Sequence, residues 1–162
     1  MKTLILVRHG KSSWEYAVGD KDRPLLKRGI NDGVLVSDKF HEQGFKIDSI
    51  FSSPANRALH TAMIFCRQMY FPLDKFRITE YLYDFSGDEV LQFVKELDNT
   101  LETVMIFGHN HAFTYIANSL GNTYIENVPT SGLVQLEFDV EDWVSIEKGI
   151  TKQTIFPKQL RG

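Results

Sequence analysis

The segment ILVRHGKSSWE, Ile5 to Glu15, opens as an apolar run and stops abruptly at Arg8, His9 and Gly10. With the residues before it, the run reads TLILV over Thr3 to Val7, apolar without alternation, as expected of a strand covered on both faces. Such a strand belongs inside an α/β sheet. Its end presents a guanidinium and an imidazole together, with a glycine immediately behind them.

Working outward, TVMIFG (Thr103 to Gly108) has the same buried-strand character, and IDSIF (Ile47 to Phe51) is a third, shorter candidate. The third leads into SSPANRALHTAMIFCRQM, where Ser53 can serve as N-cap and Pro54 fits the first helical position. Ala55, Leu59, Ala62, Met63 and Cys66 make one apolar stripe on that helix, and Arg57 falls in its first turns. Between the first two strands, Ile30, Val34 and Leu35 repeat at helical spacing and Gly44 is a stop. Later, Ser86 and Glu89 form a capping-box pattern ahead of Val90, Leu91, Val94 and Leu97. The segment HNHAFTYIANSLG predicts a helix from about Asn110 to Gly121. In GLVQLEFDVEDWVSIEKG, apolar and polar residues alternate on both sides of Asp142, which predicts an antiparallel hairpin.

Strands alternating with helices imply right-handed crossovers and a mostly parallel sheet flanked by helices. Ligands of such sheets collect beyond the carboxyl ends of the strands. Arg8 and His9 follow the first strand, Ser52 to Arg57 the second, and Gly108 to Asn110 the later buried one, so one sheet edge gathers two arginines and two histidines.

Arg8 and Arg57 offer planar forks for bidentate contact with phosphate oxygens. The helix start near Pro54 adds free backbone N–H groups and the positive end of a dipole. A phosphoryl group is the ligand this chemistry suits. Neighbouring cations push His9 toward the neutral imidazole, whose free nitrogen can attack phosphorus. Positioning and charge neutralisation by two arginines and a second histidine are what phosphoryl transfer needs, and no metal enters this scheme. Plainer roles exist for each residue alone. Arg-His-Gly can be a solvated loop, and His109 can cap a helix. Asp20, Asp22 and Arg23 can form a turn with a salt bridge. His109 and His111 do not make a metal pair, because residues two apart on a helix do not share a face.

Composition narrows the setting. A chain of 162 residues with 43% hydrophobic content fits one domain over residues 1–162. A net charge of −3 gives no reason to expect nucleic acid or an anionic membrane as partner. The lone Cys66 closes no internal disulfide, and no run reaches the length of a signal peptide's apolar region or a membrane span, so the expectation is a cytoplasmic protein.

Taken jointly, LVRHGKSSW, DRPLLKRG, SSPANRALHTA and FGHNHAF resemble, in order, the motifs of the histidine phosphatase superfamily, also called phosphoglycerate mutase-like, most closely its SixA-type phosphohistidine phosphatase branch. The resemblance implies a three-layer α/β/α sandwich and hydrolysis through a phosphorylated His9, with Arg8, Arg57 and His109 holding the phosphoryl group and no cofactor. It aligns Asp84, in EYLYDF, with the acid that protonates the leaving oxygen in ester-cleaving relatives, with Glu80 as a neighbour able to replace it and a solvated loop as the alternative for both. Ser13 is open to two readings, a phosphate contact or a loop cap. The implied substrate is a phosphohistidine on another protein, with small phosphorylated molecules as the alternative, and a noncatalytic phosphate-binding module as a third possibility.

Overall fold

The computed structural model describes residues 1–162. Six strands form one sheet, ordered β3-β2-β4-β1-β5-β6: β1 is Lys2–Arg8, β2 Ser49–Ser52, β3 Phe76–Ile78, β4 Thr103–Gly108, β5 Leu133–Phe138 and β6 Ile150–Ile155. The pairs β1/β4, β2/β4 and β2/β3 are parallel, while β5 runs antiparallel to both β1 and β6. The sheet is mixed and mostly parallel. Helices α1 (Lys27–His41), α2 (Asn56–Gln68), α3 (Asp88–Lys95) and α4 (Ala112–Leu120) cover its faces.

The unbroken apolar runs have their explanation in the two cores. Leu4, Leu6, Val104 and Ile106 belong to one apolar cluster with Val90 and Val94 of α3 and Phe113 and Ile116 of α4. Ile5, Val7, Met105 and Phe107, from the alternate positions, belong to the other, with Val36 and Phe40 of α1 and Phe65 of α2. Successive strand residues point to opposite faces, so a strand buried on both sides has no position for a polar residue. The result is the three-layer arrangement expected, and no helix is long and apolar enough to cross a membrane.

Several boundaries differ from the sequence reading. The hairpin's second strand comes later than expected, at Ile150–Ile155. The stretch around Asp142 instead turns, because Trp143 is fully buried in the cluster under α3 and α4, its backbone N–H donating to Asn99 and its Nε1–H to the Leu101 carbonyl. Pro54 lies before α2 rather than in it, and Ser53 Oγ accepts from Ala55 N. Helix α4 begins at Ala112, with Asn110 Oδ1 accepting from the Thr114 backbone N–H and hydroxyl. Gly44 does end α1, at φ 74°, the left-handed conformation that favours glycine.

The cap of α3 is also not the expected one. Asp84, rather than Ser86, holds the helix start: its Oδ2 accepts from the backbone N–H groups of Gly87, Glu89 and Val90, and its Oδ1 from the Ser86 N–H and hydroxyl. A carboxylate at this end also suits the helix dipole. Replacing Asp84 with alanine leaves these donors without partners and is expected to cost about 2 kcal/mol in urea unfolding, with Asp84→Asn costing less because one acceptor remains. An Asp84→Ala protein as stable as the wild type would contradict this role.

Candidate active site

The parallel register of β1 and β4 sets Arg8 opposite Gly108, so residues 9 and 109 leave the sheet at the same level. The imidazoles of His9 and His109 lie with ring centroids 5.3 Å apart, and both are buried. The glycine behind them sits in a crowded position. A Cβ on Gly10 would sit 3.0 Å from the Gly29 carbonyl oxygen and 3.1 Å from Ser131 Oγ. Gly10 N–H donates to Thr61 Oγ1, which itself donates to the Arg57 carbonyl, so the loop after β1 is tied to the first turns of α2.

His9 Nδ1 lies 2.7 Å from the Gly10 carbonyl oxygen and must donate to it, which leaves Nε2 with a free lone pair. Burial is the main cause that lowers the His9 pKa to about 3. The Gly10 hydrogen bond works the other way, and the charges of Arg57, Arg8 and Arg23 add to the lowering. Burial likewise brings His109 to about 3, helped by His9 and Arg57. Both rings are therefore neutral near pH 7. His109 Nε2 is 2.8 Å from Ser53 Oγ, which already accepts from Ala55 N–H. In the tautomer in which the Ser53 hydroxyl donates to Nε2, His109 carries its own proton on Nδ1.

Arg8 Nη1 donates to the Val128 carbonyl at 2.9 Å. Arg57, only 3% exposed, donates from Nη1 to the Asp20 carbonyl oxygen and from Nη2 to Asp20 Oδ2. Arg8 Nε, Arg57 Nε and His109 Nδ1 remain buried without any partner. Buried donors without partners are costly to keep.

Arg8, His9 and Arg57 line a cleft of about 300 Å³, whose other walls include Lys11, Ser12, Trp14, Asp20, Arg23, Phe85 and Thr130. Asp20 and Arg23, read from sequence as a turn pair, are thus part of the cleft. Arg23 is buried and donates from Nε to the Ser13 carbonyl and from Nη2 to Ser12 Oγ, with Nη1 3.4 Å from Asp20 Oδ1. Partial burial opposes ionisation of Asp20, but the hydrogen bond from Tyr83 and the contacts with Arg57 outweigh it and hold the carboxyl at about 2. No group of three or more histidine, cysteine, aspartate or glutamate side chains converges as a cation site.

Three sequence candidates stand apart from this cluster. Asp84 does not line the cleft, because both its oxygens are engaged at the start of α3. Glu80 lies on the surface, paired with Lys21 at 3.2 Å. Ser13 takes the loop-cap role, its Oγ accepting from Glu15 N–H. The signal for Asp20 and Arg23 lay in spacing the sequence does not reveal: the loop after Gly10 folds back on itself, with Ser13 N–H donating to the Pro24 carbonyl and Leu26 N–H to the Lys11 carbonyl.

The family model of the histidine phosphatase superfamily (branch 1) matches residues 4–85, about half of the chain, and the chain belongs to that superfamily. Over 67 residues, 40% of its length, it is 43% identical to a 2,3-bisphosphoglycerate-dependent phosphoglycerate mutase of Gloeothece citriformis, of which it covers 29%. It is 26% identical over 154 residues to the uncharacterized protein MT1313 of Mycobacterium tuberculosis, covering 88% of this chain and 93% of that one. Its fold is that of the protein histidine phosphatase SixA complexed with tungstate, at a TM-score of 0.83 and 20% identity over 98% of this chain and 99% of the other.

The depressed histidines make stability pH-dependent. Below the ordinary histidine value of 6.5 the unfolded chain binds protons that the folded one, with both rings near 3, does not. Stability from this source is therefore complete above pH 6.5 and declines as pH falls toward 3. Urea unfolding between pH 7 and about pH 4 is expected to show this decline, and it should be shallower in a His9→Gln/His109→Gln double variant.

Proposed function

We propose that this protein is a metal-independent phosphatase that takes a phosphoryl group from a phosphohistidine, carried by another protein, onto His9 and then releases it to water. The meeting of Arg8, His9 and Arg57 in one cleft, with the His109 ring 5.3 Å from that of His9, carries this reading, because two guanidinium groups beside a neutral imidazole can neutralise the oxygens of a PO₃ group while phosphorus faces His9.

His9 Nε2 donates its lone pair to phosphorus, and the bond from phosphorus to the substrate's ring nitrogen breaks. The far nitrogen of that ring is basic and takes a proton from water beforehand, so the departing electron pair leaves a neutral imidazole. Phosphorylated His9 is cationic, with Nδ1–H still held by the Gly10 carbonyl, which stabilises it. Water then attacks phosphorus, the P–Nε2 bond breaks, its electron pair returns to His9, and the proton from water leaves with solvent.

The substrate preference follows from proton supply. An alkoxide leaves poorly unless an acid protonates it. Asp20, the one carboxyl group lining the cleft, is held ionised by Tyr83 and Arg57, while Asp84 and Glu80 are committed elsewhere. A leaving imidazole does without that acid. The likeness in fold to SixA agrees with this choice, and the stretch shared with phosphoglycerate mutases favours a small phosphorylated molecule as the second reading.

With a chelator present, the protein is expected to hydrolyse phosphohistidine with a kcat/KM well above that for an alkyl phosphate, and to form an acid-labile phosphoenzyme. His9→Gln should lower phosphate release by about 10³-fold or more while preserving the fold. Preference for the alkyl ester would favour the second reading. Tight phosphate binding with no trapped phosphoenzyme would leave only a binding module.

A further inference from the structure

Trp14 is placed where burial in a core does not account for it. Its indole is 80% exposed, yet it lies over Arg23, with the guanidinium carbon 3.3 Å from the ring centroid. Arg23 is itself held by Ser12, Ser13 and Asp20, so the indole rests on a hydrogen-bonded platform. On the cleft wall formed by the segment before α3, Phe85 is 45% exposed and packs 5.0 Å from His109 and 5.2 Å from Tyr83. Trp14 and Phe85 are the two hydrophobic side chains lining a cleft otherwise built from charged and hydroxyl groups and the His9 imidazole.

Large aromatic rings left open to water beside a buried anion-binding centre suit a ligand with two parts: a tetrahedral anionic head and a flat, weakly polar body. We propose that Trp14 and Phe85 are specificity-determining residues that hold the flat leaving group, selecting substrates whose leaving group carries an aromatic ring over those with an aliphatic or unsubstituted leaving group. The selection deepens the reading of His9 as phosphoryl acceptor and rests on it. Arg8, Arg57 and His109 recognise the phosphoryl head in any substrate and cannot make this distinction. The rings contact only the part of the substrate that differs.

The competing role for Trp14 is to shield Arg23 from water, and the two roles separate in kinetics. Phosphohistidine and phosphoramidate both present a P–N bond, but only the first has a ring. In Trp14→Ala, kcat/KM for phosphohistidine is expected to fall about fivefold more than for phosphoramidate, chiefly through KM, with Trp14→Phe restoring most of the difference. Phe85→Ala should change the same ratio in the same direction. Equal losses for both substrates in both variants would overturn the proposal, because a loosened Arg23 penalises every phosphoryl group alike. If the protein turns over only esters, the phosphohistidine assignment fails, and phenyl phosphate against methyl phosphate then tests the aromatic walls by the same ratio. If no phosphoryl compound is turned over, the selection falls together with the role of His9.

Discussion

The pairing of β1 with β4 in parallel register is the constraint on which the site depends. Arg8 opposite Gly108 means that the next residue of each strand, His9 and His109, leaves the sheet at the same height and side by side. Both strands are covered on their two faces by apolar side chains, so a slip of one residue would turn every core side chain to the wrong layer. The hydrophobic pattern that makes the strands therefore also fixes the histidine pair. Burial at that position keeps the imidazoles neutral, and a neutral imidazole is the form with a lone pair to give.

A site that gathers Arg8, Arg23 and Arg57 around neutral rings carries excess positive charge, which Asp20 offsets in part. Its carboxylate takes one edge of the Arg57 guanidinium and a hydrogen bond from Tyr83 while leaving Arg57 Nε unpaired. An aspartate with its pKa near 2 is a poor proton donor at neutral pH. The feature that lets the site tolerate its arginines thus also bears on which leaving groups the site can serve.

The parts of the site legible in the sequence are those attached to regular elements. Arg8, His9 and His109 follow strands whose apolar runs cannot be mistaken, and Arg57 sits early in a helix with a clear stripe, so topology alone brings them to one edge. What stayed hidden depends on loops. Asp20, Arg23 and Trp14 reach the cleft because residues 11–26 double back, through bonds such as Ser13 to Pro24 that leave no periodic trace. Asp84 is ambiguous in the sequence for a related reason: a carboxylate near a helix start can face a ligand or cap the helix, and the capping contacts appear only once the Gly87, Glu89 and Val90 N–H groups are in place. The misplaced second hairpin strand reflects Trp143, whose burial under α3 and α4 overrides the local alternation.

Openness is the last property that follows from chain length. Between Arg57 and His109 the chain forms α2, β3, α3 and β4, all of them part of the layered body, and of the segments that join them only the one before α3 reaches the cleft, through Phe85 on its wall. A mutase must keep water from its phosphoenzyme between two substrate encounters, whereas a hydrolase must admit it. In an unroofed cleft the phosphoryl group on His9 would face solvent as soon as the first product left, so hydrolysis needs no gate. On the proposed phosphohistidine reading, the same open side would admit a phosphohistidine still attached to a folded partner, whose own surface would supply the missing wall during the first transfer and expose the intermediate to water on departing.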